Sequence, residues 1–108
     1  MTVQLPPALA MYFRAEDAAE TDVLERCFAP DAVVRDEGQV MLGLDAIKAW
    51  KVAAQGRYQY RVESLEAVTE AMTATVRAKL TGNFPGSPVE LLYRFGLAAD
   101  KITSLEIH

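Results

Sequence analysis

The sequence predicts an α+β fold, in which three N-terminal helices pack on one side of a curved antiparallel sheet. Apolar residues recur at helical spacing in the first half of the chain and alternate with polar residues through most of the second half. Helices gathered on one side of an antiparallel sheet are typical of this class. Of the 108 residues, 51% are hydrophobic and 24% are charged, so residues 1–108 are expected to form a single globular domain.

Composition argues against several kinds of partner and site. The formal net charge is −4 and the Lys and Arg residues are scattered, so we expect no nucleic-acid partner. Cys27 is the one cysteine and His108 the one histidine, so a disulfide or a usual zinc site is not expected, nor is any cofactor. No apolar run approaches the ~20 residues of a membrane span, and the N-terminus lacks a signal-peptide pattern. These features together predict a cytoplasmic protein with no membrane partner.

The first helix is predicted over about residues 6 to 18. Pro6 and Pro7 suit a first helical turn, where the missing N–H is no loss. Leu9, Tyr12 and Phe13 then fall on one face, at three- and four-residue spacing. This face is expected to pack on the sheet.

A second helix is predicted next, capped by Thr21 or Asp22. Its apolar stripe would consist of Val23, Leu24, Cys27 and Phe28. We expect Pro30 and Asp31 to end it, because a proline disfavours helical geometry at the residue before it. On this stripe Cys27 is expected to be a small buried apolar residue.

From Ala32 the pattern changes to period two, which predicts a strand. Ala32, Val34 and Asp36 share one face, so a carboxylate lies on the same side as two apolar residues. Gly38 predicts a turn into a second short strand over 39–42.

Gly43 then leads into a third helix, with Asp45 in its positive first turn. Ile47, Trp50 and Ala54 would form the inner stripe of this helix, and Gly56 is expected to end it.

Long strands are predicted for the rest of the chain. Tyr58, Tyr60 and Val62 alternate with polar residues, but Leu65 and Ala67 carry the apolar character on the opposite parity. A bulge near Ser64 would explain this change and would bend the sheet.

Two further strands and their turns follow. Inward residues of these strands would be Ala74, Val76, Ala78, Leu80, Val89, Leu91, Tyr93 and Phe95. Pro85 and Gly86 suit the centre of a type II turn between them, and residues 99–101 would turn the chain into a last strand over 102–107. The outer face, rich in Thr, Arg and Lys but interrupted by Leu92 and Leu105, is expected to form a homodimer contact.

These residues resemble the nuclear transport factor 2-like superfamily, and specifically its small SnoaL-like members, which stand beside steroid delta-isomerases and polyketide cyclases. The resemblance runs through Pro-Ala-Leu-Ala-Met-Tyr-Phe, Cys-Phe-Ala-Pro-Asp-Ala-Val-Val-Arg-Asp-Glu-Gly and Gly-Leu-Asp-Ala-Ile-Lys-Ala-Trp to the closing strand. It implies an NTF2-like cone, in which the helices and the curved sheet enclose a conical cavity. Such a cavity is a common site for a small apolar or polycyclic molecule.

Resemblance to the steroid isomerases also implies roles for individual residues. Ala32-Val33-Val34-Arg35-Asp36 matches the isomerase segment Ala-Thr-Val-Glu-Asp, whose final Asp is the general base. Tyr12 matches the helix tyrosine that stabilises the developing oxyanion, and Trp50 matches an aromatic residue of the pocket wall. Asp36 and Tyr12 are therefore the catalytic candidates. Residues expected to bind the substrate are Phe28, Trp50, Tyr58, Tyr60, Tyr93 and Phe95.

The sequence departs from the chemistry of each relative. Leu92 stands where the isomerases carry a protonated Asp as second oxyanion donor. No histidine lies inside the chain for cyclase or dehydratase chemistry. Epoxide hydrolases use an Asp-Arg-Asp set, whereas Arg61, Arg77 and Arg94 are predicted on the solvated face.

Two functions from different classes remain open. The first is isomerase-like proton transfer by Asp36 with help from Tyr12. The second is a non-catalytic ligand-binding or dimerisation module, in which Asp36 is a polar anchor or a solvated turn residue and Tyr12 is ordinary core packing.

Overall fold

The computed structural model describes residues 5–18, 22–57 and 59–108, so the predictions for Thr21 and Tyr58 lie outside the described residues. It contains the helices α1 (Pro7–Ala18), α2 (Leu24–Cys27) and α3 (Leu44–Arg57). The strands are β1 (Phe28–Asp36), β2 (Gln39–Leu42), β3 (Tyr60–Glu70), β4 (Thr73–Gly82), β5 (Val89–Ala98) and β6 (Lys101–Ile107). This arrangement confirms the predicted α+β class.

One curved sheet holds all six strands, in the order β2-β1-β6-β5-β4-β3. Neighbouring strands are antiparallel except β1 and β6, which run parallel. Helices α1 and α3 both contact strands of this sheet. The inner face of the sheet is therefore the one that the helices partly cover.

Aromatic rings form the centre of the core between α1 and the sheet. Tyr12 of α1 makes edge-to-face contacts with Phe28 and Phe95, with ring centroids 5.7 Å apart in each pair. Phe13 packs in the same way on Tyr93 at 5.1 Å. Such pairs add about 0.5–1.5 kcal/mol each beyond the area that they bury. The predicted inner face of α1 is thus the one that packs.

The second helix is much shorter than predicted. It ends at Cys27, and Phe28 is extended, with φ −99° and ψ 142°, so that Phe28 opens β1 instead of closing the helical stripe. Pro30 lies inside this strand and does not end a helix. A proline is tolerated there because the pairing of β1 with β6 breaks between Phe28 and Val33, so no ladder hydrogen bond from its nitrogen is needed.

The predicted bulge and turn are both present. The register of β3 on β4 shifts between Ser64 and Glu66, which moves the inward side chains to the other parity. Between β4 and β5, Ser87 N–H donates to the Phe84 carbonyl at 3.3 Å and Gly86 has φ +85°, as a type II turn requires. The third helix runs through Gly56 and ends one residue later, at Arg57.

The outer face of the sheet differs from the prediction at one position. Leu92 is exposed there, but Leu105 is 1% exposed and belongs to the core. The register explains this, because Leu105 pairs with Val34 and Phe95, which are both buried inward. The face carries other apolar residues in its place, among them Val40, Leu42 and Val68.

Within the described ranges, no helix is long and apolar enough to cross a membrane.

Candidate functional site

A cavity of about 510 Å³ lies between α3 and the inner face of the sheet. Four aromatic side chains, Trp50, Tyr60, Phe84 and Tyr93, supply much of its wall. Its charged lining residues are Glu16, Asp36, Glu37, Lys51 and Arg57. An aromatic wall with a few convergent polar groups is the usual composition of a small-molecule site.

Asp36 lines this cavity from the end of β1. Its inward direction follows from the strand period, because Ala32 and Val34 on the same face are both fully buried. The turn after it uses Glu37 and Gly38 at positive φ, 53° and 76°, and so closes the tight β1–β2 hairpin. Asp36 therefore lies on the same face of β1 as Ala32 and Val34, as the sequence predicts.

The Asp36 carboxylate is held by the Trp50 indole. Trp50 Nε1 donates to Asp36 Oδ2 at 3.1 Å. Burial raises the pKa of Asp36 above the ordinary carboxyl value, while the Trp50 hydrogen bond opposes that shift. A carboxylate that is made more basic by burial can accept a proton more readily than an exposed one.

A buried ion pair lies behind Trp50 on the cavity floor. Lys51 Nζ donates to Glu16 Oε1 at 3.0 Å, and the two side chains are only 2% and 4% exposed. The other oxygen, Glu16 Oε2, is buried with no hydrogen-bond partner among the described residues. This pair joins α1 to α3 through charged side chains that are almost completely buried.

Three tyrosines surround this ion pair. Tyr60 Oη donates to Glu16 Oε1 at 3.2 Å, and Lys51 Nζ donates to Tyr12 Oη at 3.3 Å. Burial, and then the Glu16 carboxylate, raise the pKa values of Tyr12, Tyr60 and Tyr93. All three phenols therefore stay neutral hydrogen-bonding groups at physiological pH.

Lys51 also contacts the ring that holds Asp36. Its Nζ lies 4.0 Å from the centroid of the Trp50 ring, within cation–π distance. A continuous chain of contacts thus runs from Glu16 and Tyr12 through Lys51 and Trp50 to Asp36.

The structure brings together some of the predicted site residues and not others. Asp36, Trp50, Tyr60 and Tyr93 all line this cavity. Phe28 is 0% exposed and Phe95 is 2% exposed. Neither ring lines this cavity, because both pack against Tyr12 in the core, so the binding role predicted for them does not match their positions.

Tyr12 itself lies behind the cavity wall. It is 0% exposed, and its phenol accepts a hydrogen bond from Lys51. Leu92 is 43% exposed on the outer face, whereas Leu91 and Tyr93 on either side of it point into the cavity. Leu92 is therefore not a position from which an oxyanion donor could reach a ligand. Arg61, Arg77 and Arg94 are exposed, as predicted.

Glu16 and Lys51 are the residues that sequence reasoning missed. Glu16 follows Tyr12 by four positions on the inner face of α1. Lys51 follows Ile47 by four on the inner stripe of α3. Their spacing was the available signal, because a charged residue on an apolar stripe is buried only when it has a partner.

Comparison with known proteins agrees with this architecture. The family model of the SnoaL-like domain matches residues 9–105. The chain belongs to the SnoaL-like family. Among curated proteins no relative matches it. A protein of Sinorhizobium meliloti with a provisional polyketide cyclase name is 47% identical, with a TM-score of 0.92, over 96% of this chain and 95% of its own.

More distant structures share the fold alone. A protein of Catenulispora acidiphila with a ketosteroid isomerase-like fold, solved in complex with trimethylamine, is 20% identical. It has a TM-score of 0.86 and the match covers 97% of this chain and 86% of that one. An epoxide hydrolase of Mycobacterium tuberculosis is 14% identical with a TM-score of 0.78, over 94% of this chain and 79% of that one. The NTF2-like cone predicted from the sequence is thereby confirmed.

Proposed function

We propose that this SnoaL-like protein binds a small, mostly apolar organic molecule in the cavity, and that Asp36 acts there as a general base. The observation that carries the proposal is the placement of Asp36 in an aromatic-walled cavity, with Oδ2 held by Trp50. Trp50 engages one of the two carboxylate oxygens, so the hydrogen bond orients the group and leaves the other oxygen to face a ligand. The raised pKa of Asp36 favours proton acceptance.

The reaction that suits this arrangement is proton transfer next to a carbonyl group. Asp36 takes the proton as the C–H bond breaks, and the electron pair moves onto the carbonyl oxygen to give an enolate. In a substrate with a C=C double bond next to the α-carbon, the negative charge spreads over this bond as a dienolate. Return of the same proton to the far carbon of the double bond then moves the double bond into conjugation with the carbonyl group, with no net change in atoms or electrons. Tyr60 and Tyr93, as neutral phenols on the wall, are the groups that would meet polar atoms of the ligand.

In this proposal Tyr12 supports the reaction without touching the ligand. Its hydroxyl contacts Lys51, which in turn lies on the Trp50 ring. A direct oxyanion contact would require a phenol on the cavity wall, and Tyr12 has no exposed surface. Its contribution would be to hold the polar cluster that lies beneath the base.

The second candidate is ligand binding without chemistry. It is favoured by the lack of surface on Tyr12 and by the outward position of Leu92, since the two oxyanion positions inferred from the resemblance do not reach the cavity. Loss of one such donor can cost on the order of 2.7–4 kcal/mol of barrier lowering. The trimethylamine complex of the Catenulispora protein makes a small amine a useful probe for this candidate.

Assembly and location also belong to the proposal. We propose a homodimer that forms through the outer face of the sheet, and the exposed Val40, Leu42 and Leu92 side chains support it. A cytoplasmic location remains a prediction from the single cysteine of the sequence.

The proposal is tested with a ketone whose α-protons are acidic, such as β-tetralone in D₂O, with exchange followed by NMR. Asp36→Asn should lower the enzyme-dependent exchange rate by about 100- to 10,000-fold, the usual contribution of a general base. Asp31→Asn, on the exposed part of the same strand, is the matched control and should leave the rate unchanged.

Binding is measured beside catalysis, with β-naphthol as a planar enolate mimic and trimethylamine as an amine. Binding that depends on Asp36, without any exchange in the wild type, would replace the catalytic proposal by the binding one. If neither probe binds and no exchange is seen, both candidates fail for this class of ligand.

A further inference from the structure

Lys51 is a buried cation in an unusual position. It is 1% exposed, although lysine side chains are almost never fully buried unless they are paired. An ammonium group has three N–H donors. Two of them point to Glu16 Oε1 at 3.0 Å and to Tyr12 Oη at 3.3 Å, and the group lies 4.0 Å from the Trp50 ring centroid. Hydrogen bonds to Glu16 and Tyr12 therefore hold the ammonium in contact with the Trp50 ring.

Trp50 connects the fixed Lys51 ammonium to the Asp36 carboxylate. Its ring face meets Lys51 and its Nε1–H donates to Asp36 Oδ2 at 3.1 Å. A cation over the ring face draws electron density from the indole and makes its N–H a stronger donor, as in other chains of polarised contacts. The same indole thus contacts the cation and the carboxylate at once.

We propose that Lys51 is a positioning residue for Asp36: its ammonium, anchored by Glu16 and Tyr12, holds the Trp50 indole in the orientation in which Nε1 binds the carboxylate. The inference rests on the proposed function only in taking Asp36 as the base. Its geometry can be tested without any ligand.

Energetics favour a functional reason for the Glu16–Lys51 pair. Replacing a buried ion pair by apolar residues of similar volume is often neutral or stabilising, because desolvation of both charges is costly. Here the cost is increased by Glu16 Oε2, which is buried and has no hydrogen-bond partner in the described part of the chain. Burial of the Glu16–Lys51 pair costs free energy, and Lys51 contacts the Trp50 ring that holds Asp36. Orientation of that ring gives the pair a reason to be present.

The charges around Asp36 act on its pKa directly, beside any effect through Trp50. Lys51 lowers the pKa of Asp36 by its charge, whereas Glu16 and Glu37 raise it. Arg57, Tyr60 and Tyr93 also line the cavity. Removing Glu16 and Lys51 together takes away two direct effects of opposite sign, and because that of Lys51 is the larger, their loss alone also raises the pKa of Asp36. The solvent exchange of the Trp50 indole proton reports the hydrogen bond itself and therefore separates the effect through Trp50 from this direct effect. Loss of the Trp50 hydrogen bond should then raise the pKa of Asp36.

The experiment uses the single tryptophan of the chain, which gives one indole N–H signal in a ¹H–¹⁵N NMR spectrum. In the wild type this signal should shift as Asp36 titrates, and Asp36→Asn should abolish the step. In Glu16→Gln/Lys51→Met the step should move to higher pH and shrink. Solvent exchange of the indole proton should become roughly two- to tenfold faster, the range set by the net strength of one hydrogen bond.

Glu25→Gln/Lys48→Met is the matched control. It removes another ion pair of α3, with Lys48 Nζ 3.2 Å from Glu25 Oε2, which does not touch Trp50. This control should leave the indole titration as in the wild type. An equal change in both double variants would show a general charge effect and overturn the proposal.

Two further outcomes would also overturn it. One is a folded Glu16→Gln/Lys51→Met protein whose indole signal titrates and exchanges as in the wild type. The other is failure to fold both of this variant and of Glu16→Leu/Lys51→Leu, since the pair would then be required for stability alone. Because the readout needs no ligand, it can succeed or fail independently of the exchange assay on Asp36.

Discussion

Asp36 occupies the position where the strand pattern of β1 meets the cavity. Two neighbours on its face, Ala32 and Val34, are fully buried, and the carboxylate continues that face into the space below Trp50. Burial of a carboxyl group favours its neutral form and so raises its pKa. The burial that makes Asp36 suitable for proton transfer thus also lowers the stability of the folded protein when Asp36 is ionised.

This cost predicts a stability that depends on pH. In the unfolded chain Asp36 titrates near its ordinary value of 3.8, and in the folded protein it titrates higher. Between these values the folded state binds more protons, so the Asp36 contribution to stability falls as pH rises through the window and stays low above it. Asp36→Asn removes the contribution.

We therefore expect Asp36→Asn to be more stable relative to wild type at pH 7 than below pH 3.8. Urea unfolding of both proteins at several pH values measures this difference. A constant gap between the two curves across pH would contradict it. The Asp31→Asn protein serves as the control with an exposed carboxylate on the same strand.

At the residue scale, the sequence predicted inward residues well where the pattern was apolar and poorly where it was charged. Trp50, Tyr60 and Tyr93 line the cavity on the faces that their spacing predicts, and Asp36 lies on the face of Ala32 and Val34, although a solvated turn position remained open for it. The Glu16–Lys51 pair was missed because a charge is by default assigned to solvent. Its partners lie 35 residues apart in sequence, and only the tertiary fold brings them to 3.0 Å.

At the scale of elements, β3 and β4 approach closely where β4 ends. Gly82 pairs with Tyr60, and a Cβ at Gly82 would meet the Gln59 carbonyl oxygen and, at 2.7 Å, the Tyr60 Cβ. The contacts are with backbone and with the root of a side chain, so they cannot be relieved by a rotamer change. The hydroxyl of the same Tyr60 donates to Glu16.

Gly82→Ala should therefore destabilise the protein by about 1–3 kcal/mol through overpacking. It should also weaken binding of β-naphthol, because the start of β3 would move with Tyr60. Gly56→Ala is the control within a helix, where a Cβ meets nothing within 4 Å, and it should stabilise by roughly 0.5–1 kcal/mol. Thermal and urea unfolding of both variants measure the two effects, and equal stability of both would contradict the account.

Helices and strands were predicted best where apolar residues repeated every three to four positions, or every two, over a long segment. The bulge near Ser64 was predictable because the apolar parity changes there. The end of α2 was not, since Phe28 fits a helical stripe and a strand equally well. Its place was decided by pairing with Ile102 of β6, a contact that no local pattern reveals.

For the whole molecule, the outer face of the sheet predicts self-association. Val40, Leu42 and Val68 are 55%, 69% and 62% exposed, which is high for large apolar side chains on one sheet face. A second copy that packs face to face would cover them. Sedimentation at micromolar concentration should show twice the chain mass of 11.9 kDa.

Leu92→Glu on this face should shift the protein towards the monomer, because it would bury an unpaired charge in the interface. Val52→Glu replaces a similarly exposed apolar residue on α3, 56% exposed, and should leave the mass unchanged. A wild type that sediments as a monomer throughout, or two variants that behave alike, would remove the outer face as the contact.

The place of β6 in the sheet has a consequence for how the chain folds. Because β6 lies between β1 and β5, the two parts of the sheet are joined only through the most C-terminal strand. During synthesis β1 and β2 can pair as a hairpin. The other edge of β1 pairs with β6, where Val34 meets Leu105, and it stays unpaired until β6 has been made. Most strand pairs join neighbours in sequence, but the β1–β6 pair must close a long loop, and such distant contacts slow folding. The exposed edge of β1 on the ribosome is therefore the stage at which this small protein is most open to wrong pairing.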